Sequence, residues 1–160
     1  MRAMRKGKGF TLAELMITIA VAAILATIAI PSFQFLIQSS RVSTQTNEFV
    51  TGINAARSEA VRRNGEVIVT PDGDWSTGFR VIDADGNTIR VFDSFGAGMS
   101  LDNDASDNDD ITFLGDGTRG TDASLLTFGL QPDGECLGDA RRVITITASG
   151  STRTEVQTCS

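Results

Sequence analysis

Apolar positions run almost unbroken from Leu15 to Ile30, then recur every third or fourth position, then alternate. Each regime predicts a different structure. The first run, with Phe10 to Leu12 in front and Phe33, Phe35, Leu36 and Ile37 behind, approaches the ~20 residues with which a helix spans a bilayer. Val42, Phe49, Ile53, Ala56 and Ala60 then follow at spacings of seven, four, three and four, an apolar stripe at helical period. Arg41, Gln45, Glu48, Arg57, Glu59, Arg62 and Arg63 mostly fill the other faces, and Asn64-Gly65 is a stop signal. The pattern predicts one helix over residues 10–65, about 80 Å long at 1.5 Å per residue. It is apolar all round at first, with the membrane-spanning part about 10–37, and apolar on one side afterwards. Pro31 is expected to kink it and Gly52 to loosen it.

From Glu66 the period becomes two. Val67-Ile68-Val69 is a short strand before Pro71-Asp72-Gly73. Phe79 to Ile82 and Thr88 to Phe92 flank Asp83-Ala84-Asp85-Gly86-Asn87, a hairpin signal. Ile111 to Leu114 and Leu125 to Phe128 read as further strands. Arg142 to Thr147 and Thr152 to Val156 form a last pair, turned by Ala148-Ser149-Gly150-Ser151. The expected class is α+β: a long N-terminal helix packed on an antiparallel β domain over residues 66–160.

A short basic segment precedes the helix. Arg2, Arg5, Lys6 and Lys8 stand in Met1 to Gly9, which contains no acid. Without that segment ten basic residues, all arginine, face 20 acids, and the side-chain charge falls from -6 to -10. So acidic a chain disfavours broad nonspecific binding to nucleic acid. Histidine is absent, which removes the usual general base and the commonest transition-metal ligand. A secretory signal peptide would also combine a basic segment with an apolar run. Ile28-Ala29-Ile30-Pro31 is a poor cleavage site for one, and Glu14 is an awkward charge at the front of an apolar core. An intramembrane carboxylate is costly and is usually kept for a partner, or else it snorkels to the headgroups. Cys136 and Cys159, an even pair behind a membrane-targeting segment, favour a disulfide in an oxidising compartment. Closing that C-terminal loop is worth ~3 kcal/mol in the chain-entropy account.

Gly9-Phe10-Thr11-Leu12-Ala13-Glu14-Leu15 resembles the processing site of type IV pilins and type II secretion pseudopilins. The resemblance implies cleavage between Gly9 and Phe10 by a prepilin peptidase, N-methylation of Phe10, and the type IV pilin fold. It also implies that Glu14 of one subunit pairs with the Phe10 amine of a neighbour, each charge relieving the other in an apolar filament core. Pro31 matches a frequent proline of that family. Ala56-Arg57-Ser58-Glu59-Ala60 resembles a signature of the FimT/FimU/GspH-like pilins, as does Asp74-Trp75 followed by Gly78-Phe79. Ile111-Thr112-Phe113 with Gly115, and Leu126-Thr127-Phe128, match that group more loosely.

The implied function is that of a minor pilin in the complex that starts type IV pilus assembly and stands at or near the tip. Alternatives are a type II secretion pseudopilin and a DNA-binding pilin for natural transformation. Implied partners are other minor pilins, the major pilin, the prepilin peptidase and the assembly platform of the inner membrane. The chain would first cross that membrane once, with its C-terminal domain in the periplasm, and later enter the extracellular pilus.

Other clusters carry less. Asp102, Asp104, Asp107, Asp109 and Asp110 crowd one loop, but their spacing is not that of an EF-hand, and a solvated acidic loop is the simpler reading. Arg141, Arg142 and Arg153 lie near the cysteines. Relatives that bind DNA carry a Gly-Arg-x-Arg motif at this point, whereas Gly150-Ser151-Thr152-Arg153 lacks its first arginine. These arginines are therefore read either as a DNA or partner contact or as pairs to nearby acids. No cofactor, metal or catalytic set is indicated, so the chain reads as an assembly subunit rather than an enzyme.

Overall fold

The computed structural model describes residues 10–96, 98–103, 110–120, 124–134, 136 and 138–159. Gly9 and three acids of the aspartate-rich loop, Asp104, Asp107 and Asp109, lie outside the described residues. One helix, α1, covers Leu12–Arg63 and is assigned without a break through Pro31. By its contacts the chain divides into two compact units, Met1–Leu36 and Ile37–Ser160.

In the first unit no side chain from Phe10 to Leu36 is buried. Its two helical threonines turn their hydroxyls inward: Thr18 and Thr27 donate to the carbonyls of Leu15 and Ile24 at 2.8 and 2.7 Å. Such local bonds hide a polar group on an otherwise apolar helix. This length of α1 is long and apolar enough to cross a membrane.

The second unit begins with the rest of α1. Val42, Phe49, Ile53, Ala56 and Ala60, the residues of the apolar stripe, are all buried, and Thr46 and Gly52 join them. The helix ends where the sequence signals. Asn64 takes a left-handed φ of 49°. Its N–H donates to Val61 and the N–H of Gly65 donates to Ala60, the paired bonds that close a helix C-terminus around a left-handed residue.

Among the described residues eight strands follow, in two antiparallel sheets. The first holds β1 (Val67–Asp72), β2 (Asp74–Asp83), β3 (Thr88–Asp93) and β5 (Ile111–Phe113) in the order β3-β2-β1-β5. The second holds β4 (Met99–Asn103), β6 (Leu126–Pro132), β7 (Arg141–Ile146) and β8 (Thr152–Gln157) in the order β4-β6-β7-β8. β4 is an addition to the predicted strands. Its residues, Met-Ser-Leu-Asp-Asn, run into the aspartates and read as loop. Pairing with β6, Met99 to Pro132 through Asn103 to Phe128, decides them as strand.

The core is aromatic, and Phe49 of α1 is its centre. Its ring stands edge-on to Trp75 and Phe79 at 5.9 and 5.5 Å and lies 5.0 Å from Phe128. Trp75 and Phe79 come from the first sheet and Phe128 from the second. Gly52 does not loosen the helix; it admits a ring. A Cβ there would lie 2.5 Å from the Phe79 ring, which stacks on Phe92 at 4.6 Å. Alanine favours a helix over glycine by about 1 kcal/mol, yet overpacking a core costs about 1–3 kcal/mol. Gly52→Ala is therefore expected to lower stability, read as a lower urea midpoint with an unchanged m-value. A raised midpoint would show that the Phe79 ring is free to give way.

Candidate functional site

The N-terminus of α1 is a reciprocal cap. Thr11 precedes the first helical residue, and its Oγ1 accepts the N–H of Glu14 at 3.2 Å. Glu14 Oε2 accepts the N–H of Thr11 at 3.2 Å and the Thr11 hydroxyl at 3.3 Å. This is a capping box, Thr-x-x-Glu, with the carboxylate also favourably placed at the positive end of the helix dipole. From the sequence, Glu14 was expected either to meet a partner on another chain or to snorkel to the headgroups. The three-residue spacing from Thr11 was the available signal for its second role. Among the described residues Glu14 accepts only through Oε2, so Oε1 keeps its lone pairs for a further donor. Phe10, four residues before Glu14, is 83% exposed.

The Ala-Arg-Ser-Glu-Ala stretch gathers the far end of the β domain. Ala56 and Ala60 are fully buried in the core beneath the sheets. Arg57, one residue on, reaches sideways. Its Nε donates to the Gly117 carbonyl at 2.8 Å and its Nη2 to the Ser149 carbonyl at 3.0 Å. One guanidinium thereby joins the turn after β5 to the β7–β8 turn. A further bond, Arg119 N–H to Ala148 carbonyl at 2.9 Å, links the same two turns. Gly150, at φ 74°, is required there, since a Cβ would collide with the Gly117 carbonyl. Gly115 allows the post-β5 turn to approach the helix end, with a Cβ position only 2.7 Å from the Asn64 carbonyl carbon.

Carboxylates fasten the helix C-terminus. Glu59 pairs with Arg62 and with Arg63, the latter at 3.2 Å, and hydrogen bonds from both guanidinium groups lower its pKa. Arg63 also reaches Asp83 at 3.4 Å, at the start of the β2–β3 hairpin. Asp83 Oδ1 accepts the N–H groups of Asn87 and Asp85 at 2.8 and 3.1 Å. The Asn87 backbone bond is the chief cause that holds the Asp83 pKa below the ordinary aspartate range, and the charge of Arg63 adds to it.

Cys136 and Cys159 form a disulfide with Cα atoms 5.7 Å apart, 23 residues apart in sequence. The Cys159 N–H donates to Gly138 at 3.0 Å, and the Thr158 hydroxyl to Asp139 at 3.0 Å, so the chain end is tied to the loop before β7. The three arginines nearby do not make one patch. In the β7–β8 ladder Thr145 faces Arg153 while Arg142 faces Val156, so Arg142 lies on the opposite face of the sheet from Arg141 and Arg153. Arg142 faces the helix and donates to the hydroxyls of Ser39 and Ser43 at 3.2 and 3.3 Å. Arg141 lies over the backbone of Gly129. Arg153 is exposed and pairs with Glu155 at 2.8 Å. Among the described residues no group of three or more acids, cysteines or histidines is placed to hold a metal. Asp102 and Asp110, the described acids of the aspartate-rich segment, are both exposed.

Comparison with known proteins agrees with this architecture. Residues 45–150 match the family model described as Type II transport protein GspH, and residues 4–30 match the one described as Prokaryotic N-terminal methylation motif. A fimbrial protein of Pseudomonas aeruginosa is 36% identical over 98 residues, or 57% of this chain; the chain spans 63% of the length of that relative. The type IV major fimbrial protein FimA of Dichelobacter nodosus is 53% identical over 49 residues, 29% of this chain and 31% of the relative. The crystal structure of the type IV minor pilin FimU of Pseudomonas aeruginosa shares the fold. Its TM-score is 0.62 over 72% of this chain and 89% of that one, at 24% identity.

Two outcomes follow from the geometry of this end of the domain. Lysine cannot serve both carbonyls in the plane that Arg57 uses, and a hydrogen bond from a charged group contributes about 1.5–3 kcal/mol. Arg57→Lys should therefore lose about 2 kcal/mol, with faster amide exchange at Gly117 and Arg119; unchanged exchange would deny the clamp. For Asp83, a lowered folded pKa means that its stabilisation is complete above the ordinary aspartate value of about 3.9 and is lost as pH falls through the folded value. Thermal melts across the acid range should show a falling midpoint. Asp83→Asn keeps the Oδ1 acceptor and should flatten that fall; an unaltered acid limb would assign it to other carboxylates.

Proposed function

This chain belongs to the GspH family, and on that premise we propose that it is a minor pilin. It is made with a leader that a prepilin peptidase removes between Gly9 and Phe10, and Phe10 is then N-methylated. It rests in the inner membrane through the apolar half of α1, with its β domain on the periplasmic side. From there it joins other minor pilins in the complex that initiates a type IV pilus. The observation that carries the reading is the first unit of the chain: an apolar helix with no buried side chain, opened by a carboxylate whose Oε1 is still available. Such a surface needs cover from lipid first and from neighbouring helices later. Within a helical bundle, Glu14 would keep its Oε2 cap to Thr11 and offer Oε1 to the Phe10 amine of the next subunit. Each partner relieves the other's cost of burial, and the pair sets axial register more than it adds net stability.

A second reading, a pseudopilin of type II secretion, is favoured by the description of the matched family. The fimbrial relatives favour the pilus. Both readings share Gly9, Phe10 and Glu14 and differ in the neighbours that the β domain selects.

The test has two stages. Coexpressed with a prepilin peptidase, the chain should lose Met1 to Gly9 and gain one methyl group on Phe10, read by intact mass; a full-length mass would remove the processing step. Glu14→Val should still be processed and membrane-bound, but be about a hundred-fold depleted from sheared filaments, since stranding one partner of a buried pair costs about 3–5 kcal/mol. Mixing with minor pilins and, separately, with secretion pseudopilins then divides the two readings. Complexes with minor pilins support the pilus, and complexes with pseudopilins alone transfer the protein to secretion.

A further inference from the structure

A polar recess opens on the helix flank just past the apolar segment. It has a volume of about 460 Å³ and is lined by Ser40, Arg41, Thr44, Gln45, Gly96 and Met99. That is the size range of small-ligand sites. No acid lines it. The Thr44 hydroxyl is used within the helix, donating to the Ser40 carbonyl at 3.0 Å. The guanidinium of Arg41, the hydroxyl of Ser40 and the amide of Gln45 hold no partner among the described residues. The acids nearest among the described residues are Glu48, three residues past Gln45 on the helix, Asp93 before Gly96 and Asp102 of β4, all exposed, and Asp133, whose N–H donates to the Gly98 carbonyl at 2.8 Å. Among the described residues the recess thus presents an unpaired cation and two neutral donors, with the Met99 thioether as its apolar wall.

Its place in the chain decides the anion. Arg41 follows Ile37, the last residue of the apolar segment, by four positions. Four residues of chain reach at most about 14 Å, whatever angle the two units adopt. The headgroup layer on each side of a hydrocarbon core is about 5–7 Å thick. Arg41 is therefore held within reach of phosphates whenever the apolar segment lies in a bilayer. Arginine meets a phosphate with two parallel N–H bonds, and a serine hydroxyl and a glutamine amide complete a donor set for its remaining oxygens.

We propose that this recess binds the phosphate-containing headgroup of an anionic membrane phospholipid, with Arg41 as the charge partner, while the chain waits in the membrane. The inference rests on the membrane-spanning reading above, and flotation of the same samples tests that reading separately.

The full chain is reconstituted in phosphatidylcholine bilayers containing phosphatidylglycerol, with a photoreactive headgroup analogue of one lipid or the other. Peptides covering Ser40 to Gln45 should be labelled about five-fold more by the glycerol analogue than by the choline analogue at equal surface density, the ratio equivalent to one arginine beside an anionic leaflet. Arg41→Gln should abolish the preference, and Arg153→Gln should retain it. Equal labelling of the wild-type chain would overturn the proposal, as would a preference that survives Arg41→Gln. Removal of the label by millimolar free glycerol phosphate would make the site one for a soluble phosphate and also overturn it. If Arg41→Gln keeps the lipid preference but loses binding to minor pilins, the recess is a subunit contact instead.

Discussion

The globular unit closes on one side chain, Phe49. It enters from α1 and touches aromatic rings of both sheets, Trp75 and Phe79 on one side and Phe128 on the other. Trp75 also meets Phe128 across the two sheets at 5.3 Å, and Phe49 fills the space that remains between those rings and Phe79. Edge-to-face pairs add about 0.5–1.5 kcal/mol each beyond the apolar area they bury. More important is that the contact fixes the rotation of α1. With Phe49 seated, Gly52 falls under the Phe79 ring, Ile53 and Ala56 face inward, and Arg57 emerges at the edge where it reaches two turns.

That dependence explains the Ala-Arg-Ser-Glu-Ala stretch physically. Its alanines allow close approach of the helix to the sheets, its arginine holds two turns, and its glutamate pairs with the last turn of the helix. None of these roles is chemistry on a substrate. The stretch sets how the β domain closes at the end marked by the helix C-terminus.

Legibility in the sequence followed the range of the interactions. The apolar stripe from Val42 to Ala60 was readable because helical period is local, and Asn64-Gly65 because a left-handed cap needs only the next few residues. Seven of the eight strands were readable from alternation and turns. β4 was not, because a short segment with only Met99 and Leu101 half-buried against the core becomes a strand only through pairing with a strand more than 20 residues away. Division into two sheets was equally hidden, since β1 sits between β2 and β5 and β6 between β4 and β7. Gly52 was misread as a weak point because a sequence does not show which ring it faces. At the candidate site, Phe10 and Glu14 were singled out by their motif, while the cap from Thr11 was present in the spacing and overlooked. Arg141, Arg142 and Arg153 looked like one cluster, and only the ladder register places them on two faces.

On the proposed function, the apolar half of α1 changes cover without changing chemistry. Lipid tails and neighbouring apolar helices solvate it about equally, so hydrophobic burial gives little direction to the transfer. Polar groups must then bias it. At one end, Glu14 is only half used in the single chain, and a neighbour's amine would complete it. Near the other end, Arg41 would exchange a lipid phosphate for whatever the filament offers. A subunit whose headgroup contact is too strong would stay in the membrane, and one without it would lose an anchor before assembly. The direction of assembly would then be set by a difference between two modest electrostatic terms, each sensitive to ionic strength, and not by the much larger apolar surface that both states cover.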